Sequence, residues 1–316
     1  MDSAWIVAEA KQMGFDACGI ANATALEKES AHVEQWLEGG HEGEMGYLTR
    51  NKEKRYDPRL LVEGTKSIVT VLYNYYPKQP LGSSGNFKIA KYAYGVDYHD
   101  VLKRKLRQLL ESIETQTGKL ENVRVFVDSA PVLDRAWAVR CGLGFIGKNT
   151  TLIHPKKGSF FFIGHLFLPI ELHETGQTMA NRCGRCTKCL DACPTHALEA
   201  PFHIDARKCI SYLTIEYKGN FAGLDPTTFD GWMYGCDICQ DVCPYNRFAM
   251  SNVEPEFQPS ERLMDMHEED WKNLTKDDFD ALFKHSAVQR TGYDGLKRNI
   301  EFIASGELRD AVHDNE

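Results

Sequence analysis

The chain of 316 residues is longer than one typical domain, and its 42% hydrophobic content is enough for a sizeable core, so we expect two or three domains. The formal net charge of −8 argues against binding of nucleic acid through overall charge alone. The acidity is local, because residues 254–316 carry 16 acidic and 8 basic side chains while residues 1–253 carry 29 of each sign.

The N-terminal residues Met1–Ala10 lack the basic segment and apolar core of a secretory signal peptide. No run of about 18 apolar residues exists, so no segment is expected to span a membrane. We therefore expect a cytoplasmic protein, in a compartment that keeps thiols reduced.

The first part of the chain predicts helices followed by a strand, a loop and a long helix. Residues 1–60 are polar and predict helices. Lys66–Tyr75 is rich in β-branched and aromatic residues and predicts a strand, and Pro77–Gly85 predicts a loop. Tyr98–Thr117 predicts an amphipathic helix, because apolar residues recur every three or four positions.

The next segment continues the alternation of strand and helix. Asn122–Asp128 predicts a second strand, after which Ser129 is expected to cap a helix that ends near Cys141. The apolar and aromatic run Gly158–Leu168 predicts one or two central strands. Strands mixed with helices imply an α/β layer structure over residues 1–170.

Two short motifs in this region leave alternatives open. Gly142, Gly144 and Gly147 match the spacing of a dinucleotide fingerprint, but that motif must follow a strand and this one follows a predicted helix, so we reject NAD binding. Asp134 lies in the first turn of the same helix. It either complements the helix dipole or serves as a proton donor in a cleft.

The cysteines give the most specific signal. Two runs end in Cys-Pro, and the first has the spacing of bacterial two-cluster ferredoxins, in which the cysteine before proline ligates the other cluster. The second run lacks one cysteine, which only Cys209 could supply. Two 4Fe–4S clusters are therefore predicted, cluster one on Cys183, Cys186, Cys189 and Cys243, and cluster two on Cys193, Cys209, Cys236 and Cys239.

Other uses of these cysteines fit less well. Structural zinc favours separate C-x2-C pairs with four ligands for each metal, and disulfides need an oxidising compartment. Cys18 and Cys141 lie outside both runs and are expected to be small buried apolar residues.

Several segments together resemble the epoxyqueuosine reductase family. They match in order over nearly the whole chain, and a ferredoxin would share only the cysteine runs. The segments are Val127–Arg135, Gly144–Asn149, Cys183–Pro194, Cys209–Glu216 and Cys236–Pro244.

The resemblance implies reduction of the epoxide of epoxyqueuosine to queuosine at the wobble position of tRNA, the last step of queuosine biosynthesis. It implies cobalamin as a cofactor, with electrons passing from an external low-potential donor through the two clusters. Asp134 would be the proton donor. Asp97, Tyr98 and His99 begin a D-x-H-x-x-G motif that lacks its glycine, which agrees with a family that has no protein histidine below the cobalt.

The resemblance also implies an architecture and a set of cofactor contacts. The fold class is α+β, with a nitroreductase-like α/β cobalamin-binding domain at 1–177, a ferredoxin-like domain at 178–250, and a short helical, HEAT-like segment at 251–316. We expect a monomer. The candidate cobalamin contacts are Asp57, Asp97, Lys148, Gly158, Ser211, Asp241 and Val242.

The expected substrate is an anticodon loop whose bases can stack on aromatic side chains. Tyr73, Tyr75, Tyr76, Tyr92 and Tyr94 are candidates, although core packing is the expected role of each. The alternative functions are another corrinoid iron–sulfur reductase, similar to a dehalogenase of small molecules, and a ferredoxin-type electron carrier. A carrier does not need residues 1–177.

Overall fold

The computed structural model describes residues 2–81 and 87–313, with side chains as far as residue 306. Part of the predicted loop, residues 82–85, lies outside this range. The strands are β1 (Ala17–Asn22), β2 (Ser67–Asn74), β3 (Lys88–Ile89), β4 (Arg124–Phe126), β5 (Phe145–Ile146), β6 (Leu152–Ile153), β7 (Phe161–Leu168) and β8 (Trp232–Tyr234).

Helices precede, separate and follow these strands. The α-helices are α1 (Ser3–Gln12), α2 (Glu27–Glu38), α3 (Lys52–Tyr56), α4 (Pro58–Leu61), α5 (Tyr98–Thr117), α6 (Asp134–Arg140), α7 (Lys188–Asp191), α8 (Ile210–Ile215), α9 (Ile238–Asp241), α10 (Glu261–Met264), α11 (Glu268–Lys272), α12 (Lys276–Phe283) and α13 (Gly292–His313).

A four-stranded antiparallel sheet in the order β1-β2-β7-β4 forms the centre of the N-terminal half. Successive side chains of a strand point to opposite faces. Accordingly Ile68 and Leu72 of β2 pack with α6, whereas Val69 and Val71 pack with α5. Helices thus cover both faces, which explains why β2 is an almost continuous apolar run.

The structure confirms the predicted helix Tyr98–Thr117 as α5, and it confirms the predicted strands as β2, β4 and β7. The run 158–168, predicted as one or two strands, contains the single strand β7. Two predictions were wrong. Residues 1–60 contain β1 as well as helices. The helix expected from Ser129 begins at Asp134. Asp128 has a φ of +52°, and two tight turns precede the helix. In these turns Ser129 N–H donates to the carbonyl oxygen of Val127, and Val132 N–H donates to that of Ala130.

The largest buried cluster draws on all three predicted domains, with Leu106, Tyr234 and Phe283 among its members. Inside it Asn299 of α13 is fully buried, and its amide donates to the carbonyl oxygens of Thr214 (2.8 Å) and Met233 (2.9 Å). The C-terminal helices are therefore fastened to the cysteine-bearing segment, and the domain boundaries at 177 and 250 stay predictions.

Within the part of the chain that the structure describes, no helix reaches the length and apolar character needed to cross a membrane.

Candidate functional site

The thiols predicted for cluster one line a single cavity of about 280 Å³. Cys183, Cys186 and Cys189 come from the first run, and Cys243 reaches the cavity from the second. Lys148 also lines it and closes one side, because its ammonium donates to the carbonyl oxygens of Gly184 (2.8 Å) and Cys186 (2.9 Å). The structure therefore brings the four thiols predicted for cluster one to one cavity, and their ligation of a cluster stays a prediction.

The thiols predicted for cluster two are neighbours of one another. Burial raises the pKa of Cys209, Cys236 and Cys239, and nearby thiols raise these pKa values further. Cys193 acts in this way on Cys209, and Cys209 acts on both Cys236 and Cys239. Backbone N–H groups of Ser211 and Tyr212 oppose the effect at Cys209 by hydrogen bonding to its sulfur.

The two sets meet where α7 packs against α9, since α7 carries Cys189 and α9 carries Cys239. The pKa of Cys239 is raised most by burial, then by the Cys209 thiol and then by the Cys189 thiol. Adjacent cluster sites suit transfer of electrons from one to the other.

The cysteine sulfurs are spaced more widely than the ligands of a single zinc ion. Four sulfurs about 2.3 Å from one zinc ion lie roughly 3.8 Å apart. Among the described residues, no three cysteine sulfurs lie within 4.8 Å of one another. The thiols surround a space rather than a point, which fits a cluster in which each iron takes one thiolate.

The side chain of Asp134 is 19% exposed and lies at the start of α6, bonded to a fully buried histidine. His165 on β7 approaches Asp134 with Nε2 at 3.1 Å from Oδ1 and Thr70 on β2 with Nδ1 at 3.0 Å from Oγ1. Thr70 and His165 are direct partners across the β2–β7 ladder. The sheet register therefore sets the position of this pair behind Asp134.

Cys141 at the end of α6 extends this chain of hydrogen bonds. Burial raises the pKa of its thiol to about 12, so the S–H is retained at neutral pH and can donate to Thr70 Oγ1, 3.2 Å away. We assign the Thr70 hydroxyl as donor to His165 Nδ1, which leaves the proton of His165 on Nε2, facing Asp134.

Sequence reasoning missed His165 and Thr70, although a signal was present. Each is a polar residue inside an apolar strand run, and a buried polar side chain needs a partner. Cys18 and Cys141 were predicted as buried thiols outside the clusters, and both are buried in the structure.

Arg55 at the end of α3 adds a buried cation near Asp134. Burial lowers the pKa of its guanidinium, and the Asp134 carboxylate opposes that effect. One amino group donates to the carbonyl oxygen of Tyr47 (3.2 Å), whereas its Nε is buried without a partner. A donor left unpaired beside a half-buried acid suits a ligand that brings an acceptor.

Tyr98 is a further polar group of this region that the sequence reasoning did not single out. Its hydroxyl donates to Asp128, and its ring stacks on Phe162 at 4.2 Å. Burial raises its pKa well above the ordinary tyrosine value, so it remains a phenol donor. His99 bonds Asp97 through Nδ1 at 2.7 Å, which fits a structural role for this histidine.

The candidate cobalamin contacts fall into two groups. Lys148 and Gly158 touch the cysteine-bearing segment, Gly158 lying against Asn246, and Asp241 and Val242 belong to the end of α9. The other three make local contacts. Asp57 caps α4 and pairs with Arg59, and Asp97 caps α5 and pairs with His99. Ser211 bonds the Cys209 sulfur through its backbone. The Asp241 carboxylate accepts from Lys91 (2.7 Å).

The glycine motif and the tyrosines took their expected roles. Gly142 has a φ of +72° just after α6, and the motif leads into the β5–β6 hairpin, which is not the setting of a dinucleotide fingerprint. Tyr73, Tyr75 and Tyr94 are buried in the core, as predicted, and Tyr76 and Tyr92 pack against it.

Comparison with known proteins agrees with the two parts of the site. Residues 182–246 match the family model of the 4Fe-4S double cluster binding domain. Residues 55–129 match the model described as epoxyqueuosine reductase QueG, DUF1730.

Individual relatives match over most of the chain. Identity is 48% to the epoxyqueuosine reductase of Cellulophaga algicola, over 94% of this chain and 96% of that protein. It is 49% to that of Leadbetterella byssophila, over 93% and 95%. The fold resembles a crystal structure of epoxyqueuosine reductase with an epoxyqueuosine-modified stem loop of tRNA-Tyr, with a TM-score of 0.85, 29% identity, and coverage of 96% of this chain and 80% of that chain.

Proposed function

The chain belongs to the epoxyqueuosine reductase family, and we propose that it reduces epoxyqueuosine to queuosine at the wobble position of tRNA. The observation that carries this proposal is the 48% identity to an epoxyqueuosine reductase over 94% of the chain. The same identity favours this reaction over reduction of small molecules and over a role as an electron carrier.

Removal of the epoxide oxygen as water consumes two electrons and two protons and leaves a carbon–carbon double bond. Side chains cannot supply these electrons, so cofactors must do so. Cobalamin, when bound, would supply the reducing equivalents at the epoxide. The residues of this chain bind and orient the substrate and deliver protons.

Asp134 is the proton donor in this proposal. Its carboxyl is 19% exposed at the start of α6 while Oδ1 is held by His165. The substrate would approach from this exposed side, which we call the cleft. As the epoxide oxygen leaves with negative charge, Asp134 protonates it. The Nε2–H of His165 then stabilises the carboxylate that remains.

Two 4Fe–4S clusters on the predicted cysteines would carry the electrons. The exposed Arg182 and Arg247 line the cavity of cluster one, and Arg185 and Lys188 are exposed within the first cysteine run. We call these four side chains the basic rim. Phe248 beside it is 42% exposed. This supports entry of electrons at cluster one from an acidic, low-potential donor protein, with cluster two next in line.

Cobalamin would be held where Lys148 and Gly158 meet the cysteine-bearing segment. Asp57, Asp97, Lys148, Gly158, Ser211, Asp241 and Val242 remain the candidate contacts. The buried, unpaired Nε of Arg55 supports a ligand rich in acceptors, such as the amide side chains of a corrin ring or an RNA phosphate. In this proposal residues 1–177 form a nitroreductase-like domain, residues 178–250 a ferredoxin-like domain and residues 251–316 a HEAT-like helical segment. The protein would act as a monomer in the cytoplasm.

The substrate would be an anticodon loop. Arg50 and Lys54 are exposed on the segment that places Arg55 near Asp134. Positive charge at this position can hold loop phosphates while the modified base enters the cleft.

The test is anaerobic reconstitution with iron, sulfide and cobalamin, followed by reductant and tRNA bearing epoxyqueuosine. Nucleoside mass spectrometry should show loss of one oxygen only when cobalamin is present. Asp134→Asn should keep its iron and corrin content and lose turnover by roughly 10²- to 10⁴-fold, the usual contribution of a general acid. Full turnover by this variant, or no conversion by the fully loaded wild type, would overturn the proposal.

A further inference from the structure

A second group of metal-ligating side chains lies outside the cluster cysteines. His41 follows α2, whereas Glu199 and His203 lie between Cys193 and Cys209. One ligand atom from each of the three residues falls within 4.8 Å of the others. Residues separated by about 160 positions are thus brought together by the packing of the N-terminal segment on the cysteine-bearing segment.

The three side chains are already oriented toward one another. Oε1 of Glu199 accepts from Lys208 at 2.6 Å, which leaves Oε2 facing His203 Nε2 at 3.7 Å. The rings of His41 and His203 stand at 90° with their centroids 4.6 Å apart. Ligands at about 2.0–2.2 Å from a tetrahedral metal lie roughly 3.2–3.6 Å apart, so only a small contraction would close the site.

An unpaired atom points independently to a missing ligand. Nδ1 of His41 is buried and has no hydrogen-bond partner, and it lies 3.9 Å from Oδ1 of Asp205. Either ring nitrogen can take an ion. If Nδ1 binds the ion, the ion is its missing partner. If Nε2 binds the ion, Nδ1 is free to donate to Asp205, and a carboxylate commonly supports a metal-bound histidine in this way.

We propose that His41, Glu199 and His203 bind a divalent cation of the borderline class, with Zn²⁺ the best match. Two imidazoles and one carboxylate are an established ligand set for zinc, with water in the fourth position. The ion would fasten the turn after α2 to the segment that carries Cys209. This inference does not depend on the proposed reaction.

The surrounding charge limits the affinity of this site. Asp205 forms a bidentate pair with Arg207, and Glu199 pairs with Lys208, so the charges of these four side chains cancel. Binding therefore depends on coordination rather than on a negative field. We expect weaker binding than at a zinc site with four protein ligands.

The experiment uses tag-free holoprotein with both clusters loaded, incubated anaerobically with Zn²⁺ and desalted. Zinc and iron are then measured together by mass spectrometry. His203→Ala removes a ligand, and Glu199→Gln keeps the shape of the carboxylate but weakens its binding. His173→Ala is the matched control, because His173 is exposed and lies outside the group.

Wild type and His173→Ala should each retain about one zinc per chain with iron unchanged, and both site variants should lose at least about tenfold in zinc affinity. Zn²⁺ should also raise the Tm of wild type but not of Glu199→Gln, which separates metal binding from misfolding. Absence of zinc at full iron content, equal retention by Glu199→Gln, or zinc gained only as iron is lost would overturn the proposal.

Discussion

Replacement of His165 by leucine tests whether the buried histidine acts through Asp134. His165 is fully buried, and its Nε2 lies 3.1 Å from Asp134 Oδ1. A hydrogen bond to a charged group contributes about 1.5–3 kcal/mol. If that bond matters only once the Asp134 carboxylate has formed, its loss should slow the reaction by roughly 10- to 150-fold.

The assay is single-turnover conversion of epoxyqueuosine in tRNA, with nucleoside mass spectrometry as the readout. Iron content, corrin content and tRNA affinity should match the wild type, because His165 contacts none of these groups in the proposal. The decisive comparison is a double-mutant cycle with Asp134→Asn. In that background His165→Leu should have no further effect on the rate, since the carboxylate that it stabilises is gone.

Thr70→Val is the matched control, because it keeps the shape of the side chain and leaves the bond between His165 and Asp134. Loss of a neutral hydrogen bond of about 0.5–1.5 kcal/mol predicts a rate only about 2- to 13-fold lower. The reasoning would be refuted if His165→Leu with full cofactor content turned over within about twofold of wild type. It would also fail if the variant lost the same factor in the Asp134→Asn background.

Three further perturbations test the clusters, the donor surface and the packing of the sheet. Cys243→Ser should abolish cluster one although it lies in the second run, so that iron falls to about half and the remaining electron paramagnetic resonance signal matches that of a Cys183→Ser or Cys186→Ser variant. Loss of cluster two instead would contradict crossed ligation. Charge reversal across the basic rim should slow turnover driven by an acidic donor protein and leave turnover with dithionite unchanged. Equal slowing with the donor protein and with dithionite would rule out a docking role for the basic rim. Gly19→Ala should lower the Tm more than Gly164→Ala. The methyl group added at Gly19 meets the backbone carbonyl of Cys141, whereas the one added at Gly164 meets the flexible end of Leu106 at 2.7 Å. The reverse order of Tm values would contradict the packing described.

Much of the redox centre could be predicted from the sequence because its information is local. The spacing of Cys183, Cys186 and Cys189 reflects the reach of thiolates around one cluster, and it holds in any surrounding fold. The same is true of Tyr98–Thr117, where apolar residues at helical spacing need only one face to bury. The structure confirms the helix and brings the three thiols to one cavity.

The environment of Asp134 was decided by the tertiary structure. Its residue type and helical position were visible in the sequence, but its partner His165 lies 31 positions away and the supporting Thr70 lies 95 positions from that histidine. Only the register of β2 on β7 and the docking of α6 bring these groups together. The grouping of His41 with His203 has the same origin. Side-chain contacts across a sheet or between packed segments depend on how whole elements pair, and a linear pattern of residue types does not encode that pairing.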